Sequence, residues 1–167
     1  MKKDWLFALT FASTLGCGLI AGVFYAFSTF VMQALAQLAP SVGIAAMQSI
    51  NLVVINPWFL GVLFGTAAAC LVLMGCSVSA WRSPRSICLL SGGLLYLFGT
   101  MLVTIYGNVP WNDTLAAVDP AGSGGARLWA EYVVRWTNWN HARGAAALMA
   151  GALFTFALSI RSPLKSP

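Results

Sequence analysis

The sequence predicts an all-α membrane protein: a four-helix transmembrane bundle with an extra short interfacial helix and an outer cap of polar and aromatic side chains. Three observations predict it. Of 167 residues, 59% are hydrophobic and only 8% charged, against about 25% charged in a typical soluble domain, so the chain cannot dress a water-facing surface. Four apolar stretches, about Trp5–Leu35, Trp58–Trp81, Ser86–Tyr106 and His141–Ile160, reach the roughly 20 residues that cross a bilayer as a helix. In lipid the backbone must satisfy its own hydrogen bonds, and a helix does so within one segment. The whole chain, 1–167, is expected to form one integral membrane domain, its last span running over about 136–160 once a polar entrance is counted.

The first run is longer than a membrane requires. At a rise of ~1.5 Å per residue, Trp5–Leu35 extends roughly 45 Å, so the stretch from Tyr25 to Leu35 is expected at or beyond the outer interface. It exceeds the apolar core of ~7–15 residues typical of a cleaved leader and holds Tyr25, Ser28 and Gln33, which reads as a retained span. Gly18 and Gly22 form a small-xxx-small step, a pattern that lets a second helix approach closely. After Pro40, Ser41 is placed to cap a short helix over Val42–Val54. That segment is uncharged and too short to span, so it reads as interfacial or re-entrant, and helical spacing puts Gln48 and Asn51 on one face.

Asn56-Pro57 breaks the chain and restarts it as the second span, with proline in the first turn. Ser83–Arg85 is a tight turn into the third span, which is expected to end near Tyr106, with Gly107–Asp113 at its outer end. Ala121-Gly122-Ser123-Gly124-Gly125 is a flexible connector, too short and wrongly placed for a phosphate-binding loop. From Ala126 an amphipathic segment leads into the fourth span. A continuous helix over Leu128–Ile160 would be roughly 50 Å long.

The net charge of +5 raises the question of nucleic acid, and its distribution answers it. With four alternating spans, Lys2, Lys3, Arg82, Arg85, Arg161 and Lys165 fall on one side, while Arg127 and Arg135 on the other are offset by Asp113, Asp119 and Glu131. This is the positive-inside pattern, with both termini cytoplasmic and, in a bacterium, the cytoplasmic membrane as the site. The basic residues report topology and headgroup contact, not a nucleic-acid partner. Cys17, Cys70, Cys76 and Cys88 lie inside apolar runs without close pairing and read as small hydrophobes. The glycine faces permit a homo-oligomer.

Against this apolar background the polar residues stand out, because polar groups at membrane depth are expensive and are functional candidates by default. Asn51, Asn56, Asn108, Asn112, Asn140 and Arg143 all fall near one membrane face in this topology. Steps of four and three put Trp136, Asn140 and Arg143 on one helix face, bordered by Trp139 and followed by Ala147, Ala150 and Gly151. A small-residue floor beneath a polar, aromatic mouth is how a bundle makes a pocket. Arg143 can alternatively snorkel to the interface, and Asn56, Asn108 and Asn112 can alternatively cap helices. His141, the only histidine, points away from the Asn140–Arg143 stripe on an ideal helix. One histidine, four acids and scattered cysteines make no recognisable metal set. No cofactor is expected, though the sequence leaves haem or a metal open.

Four stretches carry a resemblance: G-V-F-Y-A-F-S-T-F-V-M in the first span, A-M-Q-S-I-N-L-V-V-I-N-P before the second, G-N-V-P-W-N-D after the third, and W-T-N-W-N-H-A-R entering the fourth. Together they cover the chain end to end, and the chain resembles the anthrone oxygenase family of small four-helix membrane proteins. The resemblance implies Gln48, Asn51, Asn56, Asn108, Asn112, Trp139, Asn140 and Arg143 as pattern positions, and the tryptophan at 111 departs from the smaller apolar residue the pattern suggests. It also implies an oxidoreductase, a monooxygenase-like protein oxidising a lipophilic anthrone- or quinol-type aromatic with molecular oxygen as co-substrate. Such a reaction asks for an oxyanion stabiliser, which Arg143 with asparagine amides such as Asn140 would supply. It also asks for a base, His141 or Asp113. Tyr25, Trp111, Trp136 and Trp139 would complete an aromatic binding surface. The alternative is a protein that binds a quinone- or polyketide-like molecule without chemistry, or a subunit of a membrane complex.

Overall fold

The computed structural model describes residues 4–160. Five helices follow one another: α1 (Asp4–Ala36), α2 (Pro40–Val53), α3 (Pro57–Ala80), α4 (Pro84–Ala116) and α5 (Gly125–Ser159). All but α2 are long and apolar enough to cross a membrane, and the protein is an all-α integral membrane bundle. Short connections make sequential helices antiparallel neighbours. Thus α1 packs on α3 and α5, and α4 closes the ring against the same two. One end of the bundle carries both ends of the described chain and the turn at Arg82-Ser83-Pro84; the other is capped by α2 and the connector 117–124.

Local chemistry sets the boundaries. Asn56 caps α3, its Oδ1 accepting from the backbone N–H groups of Trp58 (3.1 Å) and Phe59 (3.0 Å). Ser83 caps α4 through Ser86 N–H. Proline follows each cap in the first turn, where its missing N–H removes no helical bond. The same rule corrects the expected start of α2. The helix begins at Pro40 with Ala39 as a cap that makes no side-chain bond, so Ser41 is an exposed first-turn residue instead of the cap.

Two further expectations are corrected. First, α4 does not end near Tyr106 but continues to Ala116. Its path is π-helical over Leu95–Leu102 and again over Thr104–Asn108. The wide turns before Pro110 give its ring room and let it open a fresh α-helical segment, Val109–Ala116. Second, a Cβ added at Gly18 or Gly22 would meet open space. The close helix contacts are at Gly16 against the Thr66 hydroxyl, Gly144 against Phe24 and Gly151 against Cys17. Gly18 lies two residues beyond Gly16, about 200° around the helix, and so faces out of the bundle.

Two cores result. The bundle core gathers Cys17, Ile20, Leu73, Tyr96, Ala147 and Phe154, and the cap core gathers Met32, Ile44, Met47, Leu115, Trp129, Tyr132 and Trp136. Gln48 stitches α2 to the end of α4, its Nε2 donating to Leu115 O (2.8 Å) and Val118 O (2.9 Å). All four cysteines are free thiols, and Cys17 and Cys70 are buried. Arg82 and Arg85 sit at the end with the chain termini; Lys2, Lys3, Arg161 and Lys165 of the charge pattern lie outside the described residues.

Candidate functional site

The polar face of α5 lies inside the protein. Trp136, Asn140 and Arg143 are buried on one stripe, continued by Ala147, Ala150 and Gly151. A guanidinium inside a membrane bundle is costly unless something holds it. Arg143 is 7% exposed, and among the described residues no carboxylate pairs with it; the ion pair seen is Glu131–Arg135 on the surface. Its Nε donates to Asn140 Oδ1 (2.9 Å) and its Nη1 makes a long contact to Thr104 Oγ1 (3.3 Å). The group lies between two rings, 3.9 Å from the Phe24 centroid and 5.1 Å from that of Trp136. Cation–π contacts of this kind contribute about 0.5–2 kcal/mol each, so the charge is cushioned without being neutralised. Its Nη2 takes no protein partner and is not sealed from the space beside it.

Asn140 is the support. Its Nδ2 donates to Phe24 O and Ser28 Oγ, both at 2.7 Å, so its Oδ1 is turned toward Arg143. A second network lies one helical turn toward the cap. Asn112 Oδ1 accepts from Tyr132 Oη (2.9 Å) and from Trp136 Nε1 (2.7 Å). Trp129, Tyr132 and Trp136 stack in succession along α5.

Beside these groups is a cavity of about 270 Å³ lined by Phe24, Phe27, Met47, Asn51, Met101, Thr104, Asn112, Trp136 and Arg143 among others. This is just below the ~300–1,000 Å³ range of ligand pockets. Every helix contributes. Three π-helical stretches, Phe27–Val31, Leu95–Leu102 and Thr104–Asn108, supply Phe27, Met101, Thr104 and Ile105 to its wall, and π-turns recur at functional sites because they re-aim side chains. The cavity is open at one side. There α3 packs on α1 and on the earlier part of α4 but not closely on Thr104–Ala116. The exposed part of the wall is Val23, Ile55, Phe64, Ile105 and Val109, an apolar mouth.

Of the residues singled out by sequence, the fold brings Asn51, Asn112, Trp136 and Arg143 to this cavity, with Asn140 directly behind. It does not bring the others there. Gln48 and Asn56 are engaged in the cap and helix-start bonds above. Asn108 is fully buried and caps nothing; its Nδ2 donates to Trp136 O (3.0 Å) and its Oδ1 has no partner. Trp111 is half-buried under the Arg135 guanidinium. Trp139 packs over Gly107 and is 44% exposed. Asp113 is exposed. Tyr25 and His141 border a separate outward groove of about 540 Å³ between α1 and α5, floored by Gly18, Gly22 and Gly144. His141 precedes Arg143 by two residues and is therefore turned to the opposite side of α5.

Sequence reasoning missed Phe24, Thr104 and Tyr132. Tyr132 was within reach, being four residues before Trp136 on the same stripe. Nothing local marks Phe24 or Thr104; their roles come from how α1 and α4 approach α5. Among the described residues, no group of three His, Cys, Asp or Glu side chains is placed to hold a metal.

A model of the anthrone oxygenase family matches residues 57–153, from the start of α3 through most of α5. The chain belongs to the anthrone oxygenase family. The matched stretch carries Asn112, Trp136, Asn140 and Arg143, while α1 and α2, which add Phe24 and Asn51 to the cavity, precede it. Comparison with curated proteins and with solved structures gives no match.

Proposed function

We propose that this anthrone oxygenase family protein oxidises a flat, lipophilic aromatic ketone or phenol with molecular oxygen in the cavity beside Arg143. One observation carries the reading: a buried guanidinium with no carboxylate partner faces an apolar cavity with an open donor. A ligand that becomes an oxyanion supplies the missing charge.

An anthrone illustrates the chemistry. Loss of one proton from its methylene carbon gives an enolate whose charge rests on the ketone oxygen, where Arg143 stabilises it. The enolate transfers electrons to oxygen and forms a carbon–oxygen bond, giving a hydroperoxide at the former methylene. Cleavage of the O–O bond with loss of the remaining C–H proton releases water and leaves the second carbonyl. One anthrone and one dioxygen thus become one anthraquinone and one water. The apolar walls hold the rings, and Trp136 and Phe27 offer faces for stacking. The ligand arrives from the bilayer through the mouth between α3 and α4. Neither His141 nor Asp113 lines this cavity, so in this reading the proton departs to water and Arg143 drives the ionisation. No resident cofactor is invoked. The charge distribution supports a cytoplasmic position for both termini.

A second reading, binding without turnover, is favoured by one observation: the cavity lining contains neither carboxylate nor histidine to act as a base. Oxygen uptake and quinone formation by purified protein in nanodiscs, above the spontaneous oxidation of the anthrone, separate the two. Tight anthraquinone binding with no enzyme-dependent uptake leaves the binding role.

A further inference from the structure

Resting on the reading of this cavity as an aromatic-ligand site, we propose that Asn112 is a specificity-determining residue that donates a hydrogen bond to a second acceptor oxygen of the ligand. The ligand class this selects is a polycyclic aromatic with two separated acceptor oxygens, one held by Arg143 and one nearer the cap.

The orientation of the Asn112 amide follows from its partners. Trp136 Nε1–H can only donate, and it meets the Asn112 side chain at 2.7 Å. The atom it meets must therefore be the carbonyl oxygen. The Tyr132 hydroxyl donates to the same atom at 2.9 Å. With the oxygen doubly engaged, the other end of the amide is an NH₂ group. Among the described residues that Nδ2 has no protein partner, and it is not sealed from its surroundings. Asn112 lines the cavity, so the free N–H groups are available to what the cavity holds.

The two donors are mechanically joined. Trp136 lays its ring beside the Arg143 guanidinium at 5.1 Å and fixes Asn112 through its N–H. Tyr132, stacked on Trp136, holds the amide from the other side. An amide fixed by two bonds is pre-organised, so a ligand acceptor gains its bond without ordering the side chain. A hydrocarbon of the same outline leaves this donor and Arg143 Nη2 unmatched, and sites built to hydrogen-bond a ligand reject analogues that lack the group.

The test is equilibrium binding in phosphatidylcholine nanodiscs, read by quenching of tryptophan fluorescence, with 9,10-anthraquinone and anthracene as probes. Asn112→Asp is the informative variant because a carboxylate still accepts from Tyr132 and Trp136 while offering no N–H. Wild type is expected to prefer anthraquinone. Asn112→Asp is expected to weaken anthraquinone about tenfold or more, the loss of one bond with an acceptor left facing an acceptor, and to leave anthracene affinity unchanged. Asn112→Leu, which removes the acceptor as well, is expected to lower the midpoint. Unchanged anthraquinone affinity in Asn112→Asp would leave Asn112 as a brace for Tyr132 and Trp136 and overturn the proposal. Equal weakening of both probes would also overturn it. A folded wild type that binds neither probe sinks the aromatic-ligand reading itself, and the Asn112 role with it.

Discussion

Replacing Arg143 with methionine separates what the guanidinium does for the fold from what it does for a ligand. Arg143→Met keeps the long stem that packs against Phe24 and Trp136 but removes the charge. The structural terms oppose one another. Exchanging buried charges for apolar side chains of similar volume is often neutral or stabilising by about 1–4 kcal/mol, and Arg143 is 7% exposed without a carboxylate partner. Against this, Asn140 Oδ1 loses the Nε donor it holds at 2.9 Å, which costs about 1–3 kcal/mol for a buried acceptor left unmatched. The two ring contacts subtract about 0.5–2 kcal/mol each. At mid-range these terms sum to about 2 kcal/mol destabilising, a fall in thermal midpoint of roughly 4–8 °C for a chain of this size. Catalysis has no such compensation, and losing one pre-organised oxyanion donor lowers kcat by about 10²–10³. The assay is oxygen uptake with an anthrone in nanodiscs, with quinone followed by absorbance and the midpoint by thermal fluorescence. A variant that stays folded and keeps a rate within about threefold of wild type, less than 1 kcal/mol on the barrier, refutes the oxyanion role. A collapse of the midpoint makes the residue structural and removes the reason for placing a ligand beside it.

Four other outcomes follow from the same geometry. Gly107→Ala would press a Cβ to 2.7 Å from the Trp139 ring and should destabilise by about 1–3 kcal/mol through overpacking, whereas Gly22→Ala, with open space at its Cβ, should leave the midpoint of the monomer unchanged. Gln48→Leu removes both bonds to Leu115 O and Val118 O and should cost about 1–3 kcal/mol, with faster amide hydrogen exchange in the cap than in the bundle core. Ile105→Trp narrows the exposed apolar mouth and should slow turnover of a bilayer-dissolved anthrone several-fold with little change in the midpoint; an unaltered rate would close this route of entry. His141→Gln should leave the rate unaltered, because the imidazole borders the outward groove and not the cavity; loss of turnover in a folded variant would restore the histidine as base.

The spans were legible because their signal is compositional: a long uncharged run in lipid has one backbone solution. The face of α5 was legible because it is a matter of spacing within one helix, and Trp136, Asn140 and Arg143 obey it. The expected end of α4 failed because of turns wider than the standard helix. Gly107-Asn108-Val109-Pro110 reads as a helix end by every local rule, yet the π-helical turn over Thr104–Asn108 carries the chain through it. Asn108 thereby becomes a buried donor to Trp136 O instead of a cap. Glycine spacing misled in a similar way. Gly18 and Gly22 are correctly spaced for a helix contact, but Gly16, on the other side of α1, is the one that meets α3. A spacing rule says that a close face exists; which of two small faces is covered depends on where the neighbouring helices lie.

The division of labour between the two ends of the bundle has a physical cause. Toward the chain termini the helices approach at small residues, with Gly16 on Thr66, Gly92 on Phe154 and Gly93 on Met74, and Tyr96 Oη donates across to Leu63 O. Such contacts leave no room for a ligand and supply the van der Waals packing that holds helices together in lipid. Toward the cap the same helices pass through π-turns, still in close contact at Gly99 on Ala146 and Gly107 on Trp139, and the space beside these contacts holds a charged group, amides and rings. A guanidinium placed in the tight half would face backbone and methyl groups with no donor left open. Placed at the level of Phe24 and Trp136 it is cushioned by two rings, oriented by Asn140 and left one donor short of satisfaction. That residual imbalance is what an anionic oxygen would correct, so the level of the bundle that holds an unsatisfied donor beside a cavity is the level where binding energy can be gained.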